Sequence, residues 1–93
     1  ILNEKILAAI QILTKVRRTM PSFFDEIAEL EIDGQDVYFY IPNFQKKAIF
    51  SLSNFDEALN RFSEAFAQLQ TERFSIIDLR YEQQIILRKG TLQ

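Results

Sequence analysis

The chain has 93 residues, room for one domain with a single core. Apolar residues make up 47% of it and charged residues 26%, the balance of a folded globular chain and not of a disordered one. The net charge of −2 lacks the basic footprint of a nucleic-acid binder, and the absence of histidine and cysteine removes the commonest general base, the commonest metal ligand and all thiol chemistry.

In chain order, residues 2–19 read as an amphipathic helix. Leu2, Ile6, Ala9, Ile10, Leu13 and Val16 recur at three- and four-residue spacing, with Asn3, Lys5, Gln11, Lys15 and Arg18 opposite. Lys15, Arg17 and Arg18 crowd the last turn, where they complement the helix dipole, and Pro21 is read as the stop. Phe23 and Phe24 are expected to close the core where the chain turns into the sheet. Ala28, Leu30 and Ile32 then alternate, Asp33-Gly34 supplies a hairpin turn, and Val37, Phe39 and Ile41 alternate again up to Pro42.

Residues 46–52 read as a third strand with Ala48, Phe50 and Leu52 on one face. Ser53 or Asn54 is placed to cap a second helix, with Asp56 or Glu57 three residues on. Its stripe is Phe55, Ala58, Leu59, Phe62, Ala65, Phe66 and Leu69. Two further strands follow, near 73–81 and 84–89. In the first, Ile77, Leu79 and Tyr81 alternate with Asp78 and Arg80. The expected fold is α+β: two helices packed on one face of a mainly antiparallel sheet, in the order α-β-β-β-α-β-β. One domain spans 1–93, with 91–93 as a tail. The opening residue Ile1 leads us to expect a fragment of a longer protein.

No constellation carries catalysis. Glu29 and Glu31 alternate with Leu30 and Ile32 as the solvent side of a strand would, and Asp33 with Asp36 supplies too few oxygens for a calcium loop. The serines have no histidine to activate them, and two glycines cannot build a phosphate cradle. The reading is therefore of no enzyme, no cofactor, no metal and no nucleic-acid partner. No apolar run is long enough to span a bilayer. Tyr38 and Tyr40, opposite the helices, form a candidate secondary docking patch. The final strand has two readings. It completes the sheet, or it is an unguarded edge, without proline or inward charge across Ile85–Leu87, that accepts a partner strand.

The segment "IIDLRYEQQIILR", Ile76 to Arg88, with an amphipathic helix just upstream, resembles the C-terminal end of the bacterial cell-division family FtsQ/DivIB. The element order from the first helix onward is similar to that family's β domain, so the resemblance covers nearly all of the chain. The turn departs from the family pattern, with Glu82-Gln83 where glycine or proline is usual. The resemblance implies a non-catalytic divisome scaffold, extracytoplasmic and membrane-anchored as a full-length protein, which binds partners of the FtsB/FtsL type. The residues it implies for that contact are Asp78, Arg80 and Tyr81, then Gln84, Ile85, Ile86, Leu87 and Arg88. The alternative is an adaptor or structural domain of another system that homodimerises through the same edge.

Overall fold

The computed structural model describes residues 4–69 and 74–89. The expected positions of Leu2 and Asn3 in the first helix and the 91–93 tail lie outside those residues. Helix α1 spans Glu4–Thr19 and is followed at once by a six-residue helix, α2, Pro21–Glu26. This second helix is a correction. Pro21 stops α1 but sits in the first turn of α2, where its missing N–H is not needed and its fixed φ suits the helix. The order is therefore α-α-β-β-β-α-β-β.

Strands β1 (Glu29–Asp33), β2 (Asp36–Ile41) and β3 (Lys46–Ser51) form an antiparallel meander. The first turn is Gly34-Gln35, one residue later than expected, because Asp33 pairs with Asp36. Gly34 has φ +62° and Gln35 is not in that region; positive φ at the first central residue alone is the arrangement of a II′ turn, which favours glycine there. A 3-10 turn at Pro42–Phe44 leads into β3, and another at Leu52–Asn54 leads into α3, Phe55–Leu69. Ser51 accepts from the Ser53 N–H at 3.3 Å, so the side-chain cap comes earlier than Ser53 or Asn54. Helix α3 returns the chain so that β4 (Ile76–Asp78) lies parallel to β3, and β5 (Ile86–Arg88) completes the sheet antiparallel to β4. The sheet order is β1-β2-β3-β4-β5.

All three helices pack on one sheet face. Ile12, Val16, Phe23, Phe55, Leu59 and Phe62 meet Val37, Phe39, Ala48, Phe50, Ile77 and Leu79 in a single buried cluster. Phe23 stands edge-on to Phe39, Phe62 and Phe66 with centroids 5.9, 5.0 and 5.4 Å away, a geometry that aligns ring edges with ring faces. The expected inward residues Ile77 and Leu79 are in this core. The opposite face carries no helix among the described residues.

Candidate functional site: an ion-clamped hairpin at the sheet edge

Strands β4 and β5 are three residues each, shorter than the sequence pattern suggests. Too few ladder bonds and too little apolar area hold such a hairpin by themselves. Side chains on the open face supply the rest. Cross-strand register aligns Tyr38, Ile49, Asp78 and Ile86 in one row, and Tyr40, Lys47, Ile76 and Arg88 in the next.

Asp78 is 0% exposed although it lies on the helix-free face. Arg80 grips both of its carboxylate oxygens, Nε to Oδ1 at 2.9 Å and Nη2 to Oδ2 at 2.8 Å. Arg88 of β5 reaches the same Oδ2 at 3.0 Å, and Arg80 Nη1 also reaches Asp36 of β2 at 3.2 Å. One buried carboxylate thus ties β5 to β4, and one guanidinium ties β4 to β2. Charge-assisted and partly bidentate bonds of this kind are the stronger class. Burial pushes the Asp78 carboxyl up, but the Arg80 hydrogen bonds and the charges of Arg80 and Arg88 overcome it and hold it below the usual carboxylate range. Arg80 is raised in turn, first by its hydrogen bond to Asp78. Tyr38 is pushed up by burial and then by the charge of Asp36.

The turn between the strands is anchored from below. Arg61 of α3 donates to the Tyr81 carbonyl at 2.9 Å, and Asn54 donates to the Arg80 carbonyl at 3.4 Å. Gln83 has φ +56°, the left-handed conformation that a glycine would adopt more readily. The turn Glu82-Gln83, which carries neither glycine nor proline, thus includes a residue held in glycine-like geometry.

The residues expected to contact a partner separate into groups. Asp78 is internal, shared between two guanidiniums. Arg80 is partly buried in the same network, and Ile85 packs against the core. Gln84 is exposed, Tyr81 is 44% exposed and Leu87 is 42% exposed. Ile86 and Arg88 lie on the open face, Ile86 half-buried. Tyr38 and Tyr40 are half-buried on that face too, and Lys47 Nζ sits 4.6 Å from the Tyr38 ring centre. Sequence reasoning missed Arg61, Asn54 and Asp36. A usable signal existed for the Asp78–Arg80 pair, because the sequence pattern sets the two residues two apart in one expected strand, on a shared face.

Backbone direction gives the edge its chemistry. Lys47 N–H bonds the Ser75 carbonyl at 2.8 Å and Leu79 N–H bonds the Ile49 carbonyl at 2.8 Å. Odd-numbered β4 residues thus address β3, so Ile76 and Asp78 address β5. Their partners Arg88 and Ile86 then turn their backbone groups inward; the Arg88 carbonyl also accepts from the Ser75 N–H at 3.0 Å, one residue off the Ile76–Arg88 register, where the chain enters β4. Leu87 is left with N–H and C=O directed to the outer flank, where no strand pairs among the described residues. Comparison with protein-family models, curated proteins and solved structures finds no match for the chain.

Proposed function

We propose that this chain is a non-catalytic interaction module of the FtsQ/DivIB type, which takes up a partner strand along β5. The observation that carries the reading is the terminal place of β5 in the sheet, with the Leu87 backbone groups turned outward. An added strand would gain main-chain hydrogen bonds there. Tyr81, exposed beside the edge, offers rigid contact area, and the Asp78 clamp presets the hairpin so that little ordering is left to binding. The resemblance of "IIDLRYEQQIILR" makes the partner a divisome protein of the FtsB/FtsL type and the location extracytoplasmic, on a membrane-anchored protein.

Two proline variants test the reading in a titration against the extracytoplasmic segment of an FtsB-type protein. Leu87→Pro removes only the outward N–H, which an edge strand tolerates. Ile86→Pro removes a bond of the β4–β5 ladder. Leu87→Pro is expected to abolish binding with the helix signal intact, whereas Ile86→Pro loosens the hairpin itself. Unchanged binding by Leu87→Pro would sink the strand-addition reading. Upstream coding sequence for a single membrane helix and a further small domain is the companion expectation.

A further inference from the structure

Among the described residues the sheet has a second edge with no outer neighbour, β1, and its chemistry is the complement of β5. Leu52 N–H bonds the Gln35 carbonyl at 2.8 Å, so odd-numbered β2 residues address β3 and Asp36, Tyr38 and Tyr40 address β1. Their partners Asp33, Glu31 and Glu29 are thereby inward in the ladder, which directs the N–H and C=O of Leu30 and Ile32 to the free flank. Beside that flank runs an apolar groove between α1 and β1, lined by Lys5, Ile6, Ala9, Leu30 and Ile32. Ile6 is 47% exposed, and Ile10, one turn further along α1, is 49% exposed. On the open face the same strand presents Glu29 and Glu31, both exposed.

β5 offers the matching set. Its outward backbone group belongs to Leu87, whose side chain points to the helix side and is 42% exposed, while Arg88 lies on the open face. Residues that exchange backbone bonds across an antiparallel pair share a face. Seating Leu87 against Leu30 or Ile32 therefore places an apolar side chain in the α1–β1 groove and brings Arg88 beside Glu29 and Glu31. A β1–β1 pair would instead set carboxylates against carboxylates, and a β5–β5 pair would leave the groove empty.

We infer that β5 of one molecule docks along β1 of a second copy of this chain, so that copies add head to tail into a continued sheet. Such a contact is heterologous, so it repeats from copy to copy beyond a two-fold dimer, and assembly rises with concentration. The inference rests on the reading of β5 as a pairing edge and adds the identity of a second acceptor surface, β1.

Sedimentation velocity of the whole chain over a concentration series tests it. The wild type is expected to shift from monomer to dimer and longer species, with the shift reversed in about 1 M salt, where screening acts within about 3 Å. The double variant Glu29→Lys, Glu31→Lys keeps β5 and loses the acidic edge; Leu87→Glu keeps β1 and loses the apolar anchor. Each alone is expected to associate at least about tenfold more weakly. Mixed, they should form a one-to-one heterodimer and nothing longer, because only one functional edge of each kind remains. Leu87→Ser replaces Leu87→Glu if circular dichroism shows that the charge disturbs folding. A wild type that stays monomeric overturns the inference. So does association that survives the β1 reversal and fails only in the Leu87 variants, the mark of a β5–β5 pair. The strand-addition reading is judged separately, since the β1 double variant should still bind an FtsB-type segment through β5; loss of that binding only in Leu87→Pro leaves the reading standing whichever way self-association falls.

Discussion

On the helix side of the sheet Phe39 and Phe50 are fully buried among the rings of Phe23 and Phe62; on the other side the residue at the same depth is Asp78. The first side is held by contacts that are individually weak, numerous and indifferent to pH. The second is held by a few directional bonds centred on one carboxylate. Aromatic packing collects three helices and the meander into one core, while the ionic clamp positions a hairpin that no helix covers from outside among the described residues. A strand at the end of the sheet is paired on one side only, and here its neighbour's charge supplies what burial does not.

That contrast can be broken from either side. The largest effect is expected from Phe62→Ala, which leaves a cavity between Phe23, Phe50 and Phe66 and should cost about 3–5 kcal/mol across the whole cooperative transition, read by denaturant unfolding. Asp78→Asn should cost about 2–3 kcal/mol, since Arg80 and Arg88 lose their shared counter-charge but stay partly hydrated. Its effect should be local: amides of β5 exchange faster while those of β2 and β3 hold their protection, and uniform acceleration would refute the division between the faces.

The same variant sharpens the contrast through pH. Because the folded Asp78 carboxyl lies below its unfolded value of about 3.9, the stability it contributes is complete above that value and is lost as pH falls through the lower, folded one. The gap between wild type and Asp78→Asn should therefore be constant near neutrality and shrink in acid. A gap that widens on acidification would mean that the carboxyl is raised. The smallest effect is expected from Gln83→Gly, which relieves the left-handed backbone and should stabilise by up to about 1 kcal/mol, visible as a small rise in melting temperature.

The alternation of Leu30, Ile32, Val37, Phe39 and Ile41, and the stripe on α3, made the helix side legible in the sequence, because periodicity reports which face is apolar. The open face was not legible in the same way. Period-two logic assigns Asp78 to solvent, and only the tertiary arrangement that brings Arg80 and Arg88 onto it accommodates a buried charged side chain there. Helix α2 was missed because proline was read only as a terminator, although the same residue opens the next helix. The turn at Gly34-Gln35 was one residue out, since Asp-Gly chemistry marks a turn but the cross-strand register sets its frame. The edge itself was anticipated, but which of its residues turns its N–H outward follows only from the hydrogen bonds to β3.

At both edges the residues with outward backbone groups, Leu30 and Ile32 on β1 and Leu87 on β5, are those whose side chains face the helices. Any incoming strand therefore inherits a reading frame of two residues. Those that bond directly to Leu87 are delivered to the helix side, and those between them to the open side near Ile86 and Arg88. A peptide of identical composition shifted by one position would present its charges to the apolar layer. Selectivity at such an edge is thus a matter of phase, and two partners with the same residues in opposite phase would be told apart.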